Sequence, residues 1–442
     1  MNRIIASVGL VALGATSVQA QSVTAPPAKW WNVQATVRGF YDDNLNANPH
    51  PSSNDRVWGY ELTPKVGVAL GNEQTVFSAD YKYAFLYYDH RPNGNTTHYD
   101  QDHFFNAFLS HNFNERYSLR VREAFIIGQE PDALRSDAAF HTPFRVAGDN
   151  IVNSAGGDFT AELTPLLGLE VGYNNAWYDY KDSFSQAGFS LGNSSSKNIA
   201  SDGTISPSLS GALDRVDQAA HLSALWHVMP DTTASLSYEF RDVDYTANEF
   251  IGGNATDEVD APKSQDRNVR SHTVYLGLDH KFRPDFFGSV QAGASYYDYY
   301  NVSDTSFGPY ARLSLTYVYM EESSLQVGFQ EGRTATDVVG GTTKGDLVHD
   351  VEASVIYGSV RQRIVPNLFA NLSGSVQRSA FNGGGIYDNK SEDFYEFGAN
   401  LEYLFNAHFS AHLGYDFDRL DSDIGGRSYS RNKVYIGATA SY

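Results

Sequence analysis

The 442-residue chain carries 52 Asp and Glu against 32 Lys and Arg, a formal net charge of -20, with 14% aromatic residues, 3 Met and no Cys. No Cys means no disulfide framework, thiolate zinc site or Cys nucleophile, and the acidic balance disfavours nucleic acid as a partner. Mean hydropathy is -0.39, and past the first residues no run approaches the ~20 apolar residues of a membrane helix, a test that strands of alternating polarity escape.

Arg3 precedes an apolar run from Ile4 to Gly14, and Val18 and Ala20 stand before Gln21, the layout of a cleaved secretory signal. Residues 1–20 are therefore predicted as signal peptide rather than a short buried helix, 21–31 as a periplasmic lead and 32–442 as one barrel domain. Val33, Ala35, Val37, Gly39 and Tyr41 alternate with Gln34, Thr36 and Arg38. A period of two sends apolar and polar side chains to opposite faces of a strand. Trp58 to Leu70 returns, Gly71-Asn72-Glu73 turns, and Phe77 to Tyr87 alternate with Ser78, Asp80 and Lys82. The same unit recurs with Phe105–Leu109 and Leu119–Phe125, then Phe159–Leu163 and Leu167–Trp177. A Ser, Asn and Gly-rich break from about Lys181 to Arg215 has no strand period and reads as a loop.

Beyond it the pairs are Leu222–Val228 with Ala234–Phe240, and Val274–Phe282 with Val290–Tyr296. Leu313–Tyr319 follows with Leu325–Phe329, then Val351–Tyr357 with Leu368–Val376, and Tyr395–Tyr403 with Phe409–Phe417. In the last stretch Val434, Ile436, Ala438, Ala440 and Tyr442 oppose Lys433, Tyr435, Gly437, Thr439 and Ser441. The pattern predicts an all-β, transmembrane, antiparallel up-and-down barrel of about 18 strands (16–18), with short periplasmic turns and long extracellular loops. A string of sandwiches or a propeller would need linkers and buried apolar faces, and no linker interrupts Val33 to Tyr442. Tyr87, Tyr178, Tyr299, Tyr403 and Phe405 suit interfacial girdles, and Tyr442 is expected to help barrel assembly.

Phe40-Tyr41-Asp42-Asp43-Asn44-Leu45, Leu62-Thr63-Pro64-Lys65-Val66-Gly67 and the Tyr435-Ile436-Gly437 ending resemble the β-barrel porin type 2 group of Gram-negative outer-membrane proteins. The resemblance implies an outer-membrane barrel, with relatives linked to exopolysaccharide export, and supplies no catalytic residues.

Opposite the apolar faces stand Arg38, Glu61, Lys65, Asp80, Lys82, Arg120, Arg122, Glu162, Glu170, Glu239, Arg241, Asp279, Lys281, Arg312, Asp350, Glu352, Glu396, Glu402 and Asp416. One packed core could not bury so many charges, each costing several kcal/mol without a partner, so they are expected to line a wet lumen; the blander reading is that they only solvate and cross-link the wall. Their signs nearly balance, which assigns the acid excess to loops such as Asp257, Glu258 and Asp260. Asp416, Asp418, Asp421 and Asp423 before Gly425 resemble a calcium loop only loosely, because Asp416 still reads as strand and no bidentate Glu follows. No nucleophile elbow, His-Glu-x-x-His pair or phosphate loop is present, and His103, His111, His221, His272 and His412 read as interfacial or lumen residues rather than ligands.

The chain is thus expected to be no enzyme, to need no cofactor or metal, and to form an outer-membrane porin-like channel for small hydrophilic solutes with weak cation preference. The alternative is a barrel component of an exopolysaccharide export or assembly system. Expected partners are outer-membrane lipid and lipopolysaccharide, the barrel assembly machinery, and polysaccharide or small solutes as cargo.

Overall fold

The computed structural model describes residues 29–92, 97–128, 149–181, 208–253, 260–340, 343–383 and 385–442. The predicted signal peptide 1–20, the lead as far as residue 28, and Asp257 and Glu258 lie outside the described residues. In chain order the strands are β1 (Trp31–Asp42), β2 (Val57–Gly71), β3 (Thr75–Tyr88), β4 (Tyr99–Asn112), β5 (Tyr117–Gly128), β6 (Asn150–Glu162), β7 (Leu167–Tyr180), β8 (Arg215–Met229) and β9 (Thr232–Tyr245). They continue with β10 (Val269–Arg283), β11 (Phe286–Tyr299), β12 (Asp304–Met320), β13 (Ser323–Thr334), β14 (Val348–Val365), β15 (Leu368–Gly383), β16 (Ser391–Asn406), β17 (Phe409–Ser422) and β18 (Tyr429–Ser441). Each pairs antiparallel with the next, and β18 pairs back onto β1, closing one 18-stranded sheet.

Closure leaves no edge strand, and every strand has two partners for its backbone groups, a condition any membrane-spanning sheet must meet. Side chains then divide by parity. On the outer face Leu276, Ile436 and Ile356 are 66%, 65% and 59% exposed, an apolar surface that water would not favour and hydrocarbon would. Inner-face hydroxyls satisfy one another across strands, as in Ser223–Ser237 and Thr273–Ser295, each 2.8 Å apart. Trp58, Tyr60, Tyr403, Phe405 and Phe409 stand exposed towards strand ends, where amphipathic rings suit an interface.

Strands of 12 to 18 residues exceed the ~9–11 that cross a bilayer. One rim carries tight connections such as Pro230-Asp231 and Glu321-Glu322; the other carries the longer ones. A short link at 300–303 between β11 and β12 breaks that asymmetry on the long-loop rim. The break at 181–215 is also not wholly loop, since its described end holds a turn of helix, α1 (Leu209–Leu213), capped by Ser208.

The largest correction concerns β14. Its sequence is apolar at both parities around Val355 and Ile356, and Val351, Ala353, Val355 and Tyr357 are predicted to face outward. The structure reverses this: Ile356 is outside, while Val351, Ala353 and Val355 are buried at 3%, 0% and 2% exposure. The physical reason is a loop lying against the inner side, where Val338 packs on Val348, Val351 and Phe381. Asp350 and Glu352, predicted as lumen residues, therefore share the parity of Ile356. β12 pairs with β13 only as far as Ala311–Glu331, and beyond that pair Arg333 fills the parting. Its guanidinium lies 3.8 Å from both Asp350 and Glu352 and donates to the Tyr299 hydroxyl at 3.0 Å. The two acids belong to this network.

The face assignment predicts that Val327→Arg, outside, costs about 2–4 kcal/mol of stability in a bilayer, whereas Gln326→Arg, its inner neighbour, costs well under half of that. Denaturant titration of barrels folded into lipid vesicles measures both; equal losses would refute the assignment.

Candidate functional site: the charged inner wall

Arg38, Glu61, Lys65, Asp80, Lys82, Arg120, Arg122, Glu162, Glu170, Glu239, Arg241, Asp279, Lys281, Arg312, Glu396, Glu402 and Asp416 all fall on the inner parity of their strands. The register turns most of them into pairs. Arg38 lies 3.7 Å from Glu61 and donates from Nε to His412 at 3.1 Å, and Lys65 lies 3.4 Å from Asp80. Further along the wall, Arg122 of β5 meets Asp158 of β6 at 2.8 Å and Arg120 approaches Glu170 of β7 at 3.9 Å. His221 sits 3.7 Å from both of those carboxylates. Arg241 grips Asp217 with two hydrogen bonds of 2.8 and 2.6 Å, the bidentate geometry that gives Arg–carboxylate pairs their strength. His227 is 2.9 Å from Glu162. Three of these side chains decide what fills the interior: Arg38, Lys65 and Asp80 keep 37%, 39% and 32% of their surface exposed. Solvent reaches them inside the closed wall.

At the long-loop rim the interior is occupied by protein. The connection between β13 and β14 runs inward, with Val338 on the β14–β15 wall and Val339 in a second cluster with Tyr180 of β7, Leu209 and Leu213 of α1, Ile251 and Leu347. Buried Arg267 fastens this cap. It donates to three carbonyls on three segments, Ala212 at 2.7 Å, Thr336 at 2.7 Å and His349 at 3.2 Å. Arg427, between β17 and β18, holds the same loop by two bonds of 2.9 and 3.0 Å to Asp337 and also donates to Glu392. Burial alone would lower the Arg427 pKa, but the two carboxylates more than compensate and raise it above its ordinary value.

The seam between β1 and β18 is clasped at both ends. Asp42 accepts two bonds from Arg431, at 2.9 and 2.6 Å, with both residues buried. Asp43 accepts from the Asn432 backbone and carboxamide, each at 2.7 Å, and Asn44 donates to the Ser430 carbonyl at 2.9 Å. At the other end Tyr442 and Val33 exchange backbone bonds of 2.8 and 3.1 Å, the Tyr442 ring meets Trp31 at 5.7 Å, and Lys29 Nζ lies 3.4 Å from that ring's centre. The Asp42-Asp43-Asn44 stretch thus has a structural task, joining the first strand to the last.

Residues 326–442 match the family described as Putative beta-barrel porin 2. The match takes in the greater part of β13 and all of β14 to β18, so it includes the Tyr435-Ile436-Gly437 ending and leaves out the Phe40–Leu45 and Leu62–Gly67 stretches. No curated protein matches the chain. Among solved structures the chain is similar to OccAB4 of Acinetobacter baumannii, at 11% identity over 94% of this chain and 99% of that one, TM-score 0.41. It is also similar to OpdQ of Pseudomonas aeruginosa, at 11% identity over 93% and 98%, TM-score 0.41. A third is a BenF-like porin from Pseudomonas fluorescens Pf-5, at 12% identity over 93% and 99%, TM-score 0.42.

Several inner-wall groups were hidden from pattern reading. Asp158 follows Gly156-Gly157, which blunt the alternation, and Arg267 sits in a connection with no period. Arg431 precedes the stretch where β18 becomes legible. His221 and His412, read only as lumen or interfacial, are inner-face partners of charged groups. The four acids of the loose calcium pattern take separate partners: Asp416 faces Lys433 in register, Asp418 lies 3.5 Å from Arg431, Asp421 accepts from Arg419, and Asp423 accepts from the Ser391 backbone. Among the described residues no group of His, Asp and Glu is placed to hold a metal.

Removing Arg431 would leave Asp42 buried without its counter-charge, so Arg431→Met is expected to destabilise the barrel by about 3–5 kcal/mol, and Asp42→Leu added to it to restore much of the loss. Unfolding by urea in detergent checks both, and an unchanged midpoint for Arg431→Met would contradict the clasp.

Proposed function

We propose that the protein is an outer-membrane porin-like channel through which small hydrophilic solutes diffuse passively, with a weak preference for cations. The observation that carries this reading is the contrast between faces of one closed wall: apolar and exposed outside, charged and solvent-accessible within. A barrel of this strand number encloses an aqueous channel unless something fills it. The tight turns then face the periplasm and the long loops the exterior. The outer face meets lipid and lipopolysaccharide, reached through the signal peptide and the barrel assembly machinery. No chemistry is assigned to the wall, whose acids and bases neutralise one another.

The pairing makes the lumen field weak, and the acid excess leaves the mouth negative, which concentrates cations there. The inward loop cap is the one feature that favours the alternative, a barrel of an exopolysaccharide export or assembly system whose passage is opened by other components. Reversal potentials of the purified protein under a KCl gradient in a planar bilayer separate these readings. A mild cation preference is expected at ~0.1 M salt, where the screening length is ~10 Å, fading at ~1 M, where it is ~3 Å. Clear anion preference would overturn the charge reading, and a silent bilayer would overturn free diffusion in favour of export.

A further inference from the structure

On the outer face the strands carry uncharged, mostly apolar side chains through the height that hydrocarbon covers, with one departure. Glu123 of β5 has the outer parity of Leu119, Val121 and Phe125, and it stands six residues along the strand from Tyr117, where β5 leaves its tight turn. At about 3.3 Å per residue and a strand tilt of about 40°, that is roughly 15 Å above the turn rim, near the middle of an apolar band about 25 Å tall. Among the described residues, and the turn rim aside, no other strand places Asp, Glu, Lys or Arg so low on its outer face. The next, Glu331 of β13, stands eight residues beyond Ser323, and Asp242 and Arg419 stand ten beyond Thr232 and Phe409. That puts those three at roughly 20 to 25 Å, the upper margin of the band. The surroundings of Glu123 are small. In register the outer row across β3 to β7 reads Ala79, Ala107, Glu123, Ala155 and Asn175, and Gly157 is the next outward position of β6 towards the turns. Phe105, Phe159 and Tyr173 stand out around this hollow, 38%, 39% and 49% exposed. Asn153, the next outward position of β6 towards the loops, donates to Glu123 Oε1.

We infer that this hollow is the interface with a second copy of the chain. The inference rests on the membrane barrel and is independent of what passes through it. Ionisable side chains at membrane depth are costly and are normally turned towards protein or water, and lipid tails offer Glu123 no donor. Asn153 supplies one N–H, while a carboxylate has room for about four. The same row carries a further donor two strands away, the Asn175 carboxamide. A two-fold axis along the membrane normal, passing through Ala155, sets Glu123 of each copy towards Asn175 of the other. The surface is then complementary to itself, as an isologous contact requires. The alanines and Gly157 let the two walls approach closely, as small residues do where membrane segments pack. A cation of the second copy cannot take the place of Asn175, because both barrels share one orientation in the membrane. Arg270, Arg378 and Arg419 stand on the outer face ten or more residues along their strands from the turn rim, well above Glu123.

The chain has no Cys, so single introduced cysteines report the contact in native outer membranes. Under mild oxidation Ala155→Cys is expected to give a reducible species of twice the chain mass. Ala399→Cys, outward on β16 at a matching height on the far side of the barrel, should give none. In detergent, sedimentation of the unaltered protein should show two copies, and Glu123→Leu should raise the dissociation constant about tenfold or more, the loss expected for a charged hydrogen bond. The same variant should fold into lipid vesicles at least as well as the unaltered barrel, because a carboxyl group leaves the lipid-facing wall. Folding yield thus separates a lost contact from a lost fold, and poorer folding of Glu123→Leu would contradict the outward carboxyl group. No cross-link from Ala155→Cys, equal cross-linking from Ala399→Cys, or unchanged association in Glu123→Leu would overturn the interface. A species of three copies would overturn the two-fold axis, and a cross-link to a different protein would overturn the second copy as the occupant.

Discussion

Everything in this molecule depends on β18 finding β1. A sheet of this size left open would expose two edges of unpaired amide and carbonyl groups, and in hydrocarbon each such group costs several kcal/mol. The register from Gln34–Ser441 to Asp42–Lys433 removes both edges at once. It cannot slip by one residue, because the period-two alternation would then turn Ile436 and Val434 inward and Lys433 and Tyr435 out. The clasps reinforce that register at its extremes, with Asp42 and Asp43 against Arg431 and Asn432 at one rim and Tyr442 against Val33 and Trp31 at the other.

Once closure is set, parity decides which chemistry each residue meets, and this is why so much of the fold is readable from the chain. Leu222, Ala224 and Trp226 need only alternate with polar neighbours to be placed, and all of the wall charges outside β14 follow from the same rule. The rule fails where its premise fails. It assumes that the inner face is wet, and the inner face of upper β14 is dry, covered by Val338 and its neighbours. Val351, Ala353 and Val355 look like a lipid-facing row for the same reason that they are buried: both environments exclude water. What covers them comes from a connection without a period, and connections carry the Arg267 and Arg427 contacts that alternation cannot express.

The candidate site was legible in parts. Arg312 could be placed on the inner wall from Leu313 and Leu315 alone. Its lack of an acid partner could not, because pairing is a property of three strands in register and not of one. The same holds for the tyrosine rings, since Tyr275 and Tyr310 meet across Gly293 of the strand between them and Tyr357 lies against Gly328 of the neighbouring strand.

The cap and the wall impose different constraints on anything that passes. Moving the β13–β14 connection out of the interior would strip Arg267 of three carbonyls and Arg427 of Asp337, and uncovering or stranding buried guanidinium groups costs several kcal/mol. An opening of about 4 kcal/mol would be populated at only about one part in a thousand. The cap therefore behaves as a fixed constriction rather than a swinging lid, and on the proposed channel reading a solute would pass beside it. Below the cap the paired charges along β1 to β9 offer a nearly neutral, solvent-accessible surface, which on the same reading would hold a solute only briefly. The β10 to β14 wall differs in that Arg312 and Arg361 have no carboxylate within 4.0 Å among the described residues and lie over the rings of Tyr310 and Phe369 instead. Selectivity in such a barrel would arise by subtraction: a wall discriminates where the protein has not already supplied the counter-ion.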